Sequence, residues 1–221
     1  IIGAGTGVRD YIVSLIEDMG ANAVLVSVDA TQAQENDYIT LDDIDNIKER
    51  VNGVDHCSPM MMGFANATID SSAEEATVMI IGVNSDVQFM FPDGAKYGRF
   101  FTEEEYNASS PIAVIGTASA DMAFGYEDVV GQYLTVSSTG STMKMRICGV
   151  ADIDSLVSSV GGGSSFGEMF QTGDRLTIAL FVPCTTLSRL TGTAPTVSSV
   201  FVIGEEDANN DAIGNAAVNY L

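Results

Sequence analysis

The apolar residues of this chain come in short runs, none of them long enough to cross a bilayer as a helix. ATVMIIGV, LTIALFVPC, AVLVSVD, PIAVIG and TVSSVFVIG are rich in β-branched side chains and are bounded by Gly, Pro, Ser or Asn. A membrane-spanning helix needs roughly 18 or more consecutive apolar residues, whereas runs of about four to eight between turn residues are the size of buried strands. The longest of these runs are therefore strand-sized. The chain can bury a core: 46% of its 221 residues are hydrophobic and its mean hydropathy is +0.20, which excludes a disordered chain. Nine Lys and Arg stand against 30 Asp and Glu, a formal charge of −21. That balance excludes an ordinary nucleic-acid binder, whose affinity comes from clustered cations.

Along the chain, VRDYIVSLIEDMG places Val8, Ile12, Leu15, Ile16 and Met19 at helical spacing before Gly20, which predicts an amphipathic helix. AVLVSVD follows as a strand and TQAQENDY as a polar loop. Thr40 then caps a helix over TLDDIDNIKERV, whose Asp42 and Asp43 suit the positive end of the helix dipole. VDHCSPMMMGFANATID reads as a long extended stretch and ATVMIIGV as a strand. From about Asn84 the elements shorten. PIAVIG and QYLTVSS are predicted strands, TASADMAFG a short helix, and STMKMRICGV a hairpin partner of QYLTVSS across a turn at Gly140. SSVGGGSSFGEMFQTGDR lacks periodicity and is expected to be a mobile loop. RLTIALFVPC, TTLSRLTG and TVSSVFVIGEE predict strand, helix and strand, and DAIGNAAVNYL a closing helix. The order suggests an α+β body assembled from both ends of the chain around a strand-rich insertion.

Single motifs carry little chemistry. IIGAGTG imitates a dinucleotide fingerprint through Gly3, Gly5 and a later Asp29, but Val8 stands where Gly or Ala is required and too few residues precede Gly3 to form a strand. Gly163, Ser165 and Gly167 satisfy the G-x-S-x-G pattern of a hydrolase elbow. No strand leads into it, and the one histidine, His56, lies upstream of the serine. His56 beside Cys57 lacks a second ligand, and Cys57, Cys148 and Cys184 match no metal or redox spacing. The cysteines read as buried small hydrophobes, with their disulfide state open. Asp207, Asn209 and Asp211 fit the first positions of a calcium loop, but Ala212 and Val218 replace its Gly and Glu. Glu103, Glu104 and Glu105 after Thr102 read as a capped helix start. Met60, Met61 and Met62 are expected to fill core, with an exposed Met patch as the exception. No catalytic, cofactor-binding or metal-binding residue is assigned, and the substrate-binding residues stay unknown.

The whole pattern resembles the extracytoplasmic (periplasmic core) domain of MacB/FtsX-type ABC transporter permeases. GVRDYIVSLIEDMGANAVLVSV is similar to the lead-in that follows the family's first membrane helix. TLDDIDNIKERVNGVDHCSPMM, with Pro59 before a strand, is similar to the next stretch. The most specific block is YGRFFTEEEYNASSPIAVIGTASADMAFGYEDVVGQYLTV. There Gly98, Arg99, Phe100, Phe101, Ile115, Gly116, Phe124, Gly125, Asp128 and Gly131 occupy family positions, and Val129 departs from a frequent Pro. MKMRICGVAD, LFVPCTTLSRLTG and the last 25 or so residues complete a resemblance that covers nearly the whole chain.

The resemblance implies a discontinuous porter-like α/β-sandwich subdomain, residues 1–83 and 177–221, with an inserted mainly-β sabre-like subdomain, residues 84–176. It implies that Gly116, Gly125 and Gly131 serve turns and close backbone approaches. It also implies a domain that binds no ATP or other cofactor and that is anchored by membrane helices on the extracytoplasmic face of a bacterial membrane. Its partners would be a cytoplasmic ABC ATPase, a second permease copy and, in several permeases of this class, an extracytoplasmic adaptor or lipoprotein. The abrupt start, without Met or leader, fits a piece excised from such a protein, and the isolated domain is expected to be monomeric or weakly dimeric. Two other readings compete: a surface-attached or secreted ligand-binding or adhesion domain without an ATPase, and a hydrolase using Ser165.

Overall fold

Among the described residues, ten strands form one hydrogen-bonded network, and helices lie against it. The computed structural model describes residues 11–16, 23–28, 39–138, 140–154, 156, 176–192, 197–205 and 209–221, with the backbone alone for 11–16, 176 and 211. In chain order the elements are β1 (Tyr11–Ile16), β2 (Ala23–Val28), α1 (Leu41–Arg50), β3 (Val54–Ile69), β4 (Glu75–Val83), a 3-10 turn (Ser85–Met90), β5 (Tyr97–Gly98), α2 (Glu103–Asn107), β6 (Ile112–Gly116), α3 (Thr117–Phe124), β7 (Tyr133–Ser138), β8 (Ser141–Ala151), β9 (Leu176–Pro183), α4 (Cys184–Thr191), β10 (Ser199–Gly204) and α5 (Asn210–Tyr220). The mixed α and β class is the one the sequence pattern predicts. The glycine-rich GGGSSFG stretch and the opening IIGAGTG lie outside the described residues.

β3, 16 residues long, is the spine. Its first half pairs antiparallel with β10, and β10 continues through β2 to β1. Its second half pairs with β4 on one edge and, at Asn66–Ile69, with β7 on the other. β4 runs parallel to β9, β9 antiparallel to β6, β6 parallel to β8, and β8 antiparallel to β7, which returns to β3. Six strands thus close into a ring, which removes their free edges. Alternation does the rest: Ala65, Ala67, Val78, Ile80, Ile115, Leu134, Ile147 and Leu180, from all six strands, belong to one buried cluster that fills the ring. Met79, Ile81, Val114 and Phe181 face the other way and are covered by Phe91, Phe100 and Phe101. Each such burial contributes roughly 1.5–3 kcal/mol, against about 0–1 kcal/mol for an exposed ion pair. The apolar layers, not the charges, hold this fold.

One element corrects the sequence reading. Tyr11–Ile16, expected within an amphipathic helix, is a strand whose six residues pair in register with Ala23–Val28. Its apolar residues do have helical spacing. But Ile12, Val13 and Ile16 are β-branched, and an adjacent strand offers a ladder for every pair, so the partner overrides the period.

Two glycines show why that residue type is needed. A Cβ on Gly116 would collide with the Asp154 carboxylate, which accepts from the Ala118 backbone N–H (2.9 Å) and from Ser119 Oγ (2.7 Å) at the start of α3. Ser119 Oγ in turn accepts from the Ala179 N–H at 2.9 Å, tying α3 to β9. Gly125 ends α3 in the left-handed conformation, φ +77°.

Candidate functional site

Where β4 ends at Val83, β3 loses its neighbour along one edge, and side chains take over from strand. Asn84 Nδ2 donates to the Cys57 carbonyl at 2.8 Å, and Asp86 Oδ2 lies 3.4 Å from the Cys57 N–H it accepts. Asn84 also caps the 3-10 turn, its Oδ1 accepting from the Asp86 N–H at 3.1 Å. On the opposite side, α1 starts at a capping box formed by Thr40 and Asp43. Its Ile44 and Ile47 are buried, while Asp45 and Lys48 sit one turn apart. The third wall is α2, started by the Thr102–Glu105 capping box. Thr185 Oγ1 donates to the Tyr106 carbonyl (2.6 Å), Thr186 Oγ1 to that of Ser110 (2.9 Å) and Arg189 to that of Ser109 (3.0 Å), pinning the end of α2 to α4.

These walls enclose a cavity of about 380 Å³, within the size range of small-ligand sites, about 300–1,000 Å³. Leu41, Ile44, Pro59 and the Tyr106 ring line it with apolar surface, and Asp45, Asp86, Glu103 and Lys48 bring charge. Lys48 Nζ lies 2.6 Å from Asp86 Oδ2. Neither Asp45 nor Glu103 has an ion-pair partner among the described residues. Three carboxylates against one ammonium give the cavity a negative balance. Burial raises the Tyr106 phenol well above its ordinary range, so it stays protonated against Cys184 Sγ, 3.2 Å away. Cys57, in the floor, is likewise pushed up by burial and remains a thiol. The lining offers a ligand an excess of carboxylate charge, the neutral polar groups of Ser85 and Asn107, and apolar surface.

His56 is stacked on Phe89, ring centroids 3.6 Å apart and planes 5° apart. Its Nδ1 is 3.6 Å from Asp86 Oδ2 and its Nε2 3.4 Å from Asp55. Cys57, although adjacent, points to the other face of β3. All three cysteines are buried and free, and burial raises the Cys148 thiol to about 11. Met60 and Met61 are buried, while Met62 is 45% exposed. Asn209 caps α5 through the Ala212 N–H (3.0 Å); Asp207, Asp29, Gly163, Ser165 and Gly167 lie outside the described residues. Asp45, Lys48, Asn84 and Asp86 were not foreseen as a group. Asn84-Ser-Asp86 after an apolar strand was the available signal, since Asn two residues before Asp is a capping pattern.

The family model of the MacB-like periplasmic core domain matches residues 1–220. The chain belongs to that family. The macrolide export ATP-binding/permease protein MacB of Bdellovibrio bacteriovorus is 28% identical over 157 residues, 68% of this chain but only 23% of the relative. The chain thus spans about a quarter of the length of that protein. The periplasmic region of MacB from Actinobacillus actinomycetemcomitans superimposes with a TM-score of 0.64 at 14% identity, covering 91% of this chain and 85% of that one. The extracellular domain of the noncanonic ABC-type transporter YknZ from Gram-positive bacteria gives 0.56 at 19% identity, covering 81% and 80%. These two likenesses show the shared fold of the family.

Proposed function

We propose that this chain is the extracytoplasmic domain of a MacB/FtsX-like permease, held on the outer face of a bacterial cell membrane. There it couples ATP hydrolysis by a separate cytoplasmic ATPase to export or extracytoplasmic handling of a peptide, lipid-linked or drug-like substrate. The observation that carries the reading is the family match over residues 1–220. The architecture supports a mechanical role. α5 lies against β1 and β2, so the first and last described elements are neighbours. A displacement entering at either end is passed by backbone hydrogen bonds into β10 and β3, and along β3 into the closed ring. Close-packed interiors transmit such displacement with little loss.

In this reading residues 1–83 and 177–221 form the porter-like part and 84–176 the inserted sabre-like part. The β6–β9 and β3–β7 pairs join the two, which favours their moving together. A second permease copy completes the transporter, and an adaptor or lipoprotein would meet the end remote from the membrane. Translating the complete open reading frame tests the proposal. One apolar span of about 20 residues before Ile1 and three after Leu221, with a P-loop ATPase encoded alongside, is the expected result. A secretion signal and a lone anchor would replace it with a surface-attached or secreted binding domain.

A further inference from the structure

The cavity between α1, the 3-10 turn and α2 has the composition of a receptor for an amphipathic cation. Lys48 and Asp86 neutralise each other at 2.6 Å, and Asp86 is further engaged by the Cys57 N–H. That leaves Asp45, from α1, and Glu103, from α2, as carboxylates on separate walls, both on exposed residues. The same lining includes apolar Leu41, Ile44 and Pro59 and the aromatic Tyr106. A bare metal ion or an ammonium ion would gain nothing from that surface. An anion would meet an excess of carboxylate. A ligand that carries a cationic head on an aliphatic stem uses both parts of the lining: the head pairs with Asp45 or Glu103, the stem excludes water from the apolar walls, and an aromatic face is a further partner for the cation.

We infer that this cavity binds an alkylammonium or alkylguanidinium group, presented by a lysine or arginine side chain of a peptide or by a free organic amine. The overall charge of −21 would draw such ligands in from solution, but it is diffuse; the cavity would give one place where they stop. The inference does not depend on the transport reading, since a surface receptor would use the same cavity.

The test is calorimetric titration of this chain with acetyl-Ala-Lys-Ala-amide, the norleucine peptide that keeps the four-carbon stem but lacks the ammonium, and free n-butylamine. The lysine peptide is expected to saturate one site, and the norleucine peptide to bind at least about tenfold more weakly. D45N/E103Q should weaken lysine-peptide binding by a similar factor, because each exposed carboxylate can be neutralised without disturbing a described contact. D93N/D121N, which removes the same charge from exposed positions outside the cavity lining, should change it by less than about twofold. Binding of butylamine comparable to the lysine peptide would make a free amine a sufficient ligand; much weaker binding would assign the site to peptides. Equal weakening by the two double variants, equal affinity for norleucine, or no saturable binding would overturn the inference. None of these results would alter the open reading frame on which the permease proposal stands or falls.

Discussion

Glu105 shows how much one side chain organises here. It closes the capping box of α2 by accepting from the Thr102 N–H at 2.9 Å and takes a two-pronged bond from Arg99, at 2.7 and 2.8 Å. Arg99 holds its carboxyl down to about 2, against an ordinary 4.5. Because the folded-state value lies below the unfolded one, the stabilisation is full above the ordinary glutamate range and is lost as pH falls from about 4.5 towards 2. E105Q should therefore be less stable than wild type by about 1 kcal/mol at neutral pH, the screened worth of a half-exposed pair. Urea denaturation should show that difference shrinking through this window; a difference independent of pH would refute the assignment. Residues of this kind are legible in sequence, since Thr102 with an acid three places on is a local signature. The cavity residues are not. Asp45, Pro59, Asp86, Glu103 and Thr185 are far apart along the chain, and only the pairing of β3 with its neighbours brings them to one place.

At the scale of elements, helices that carry their own start signals are the predictable ones. α1 begins where Thr40 Oγ1 accepts from the Asp43 N–H at 3.1 Å and the Thr40 N–H donates to Asp43 Oδ2 at 2.9 Å. T40A removes the first bond and should cost about 1 kcal/mol in chemical denaturation. An unchanged midpoint would mean that packing of Ile44 and Ile47 alone holds the helix end. Strands such as β4 and β6 are equally legible, because β-branched runs that stop at a turn residue, Asn84 after β4 and Pro111 before β6, have few other uses. β1 is not. Its six residues carry apolar spacing compatible with either period, and the choice fell to the neighbouring strand that could satisfy its backbone.

For the whole molecule, charge and surface point the same way. Excess acidity makes copies of this chain repel one another, and among the described residues exposed large apolar side chains such as Met62, Phe64, Met122 and Tyr126 are few beside the buried core. Sedimentation velocity at micromolar concentration should show a single species of 23.2 kDa; a tight dimer would contradict this. Composition and the order of apolar runs were enough to specify an acidic α+β body and, through the collinear block from Tyr97 to Val136, its family. Those are properties of local pattern, written residue by residue. Closure of six strands into a ring, the exchange of β3 from β10 to β4 and β7, and the convergence of Asp45 and Glu103 on one cavity are of another kind. They depend on long-range pairings in which each strand competes for several partners, and the choice is made by which arrangement buries both faces of the sheet at once.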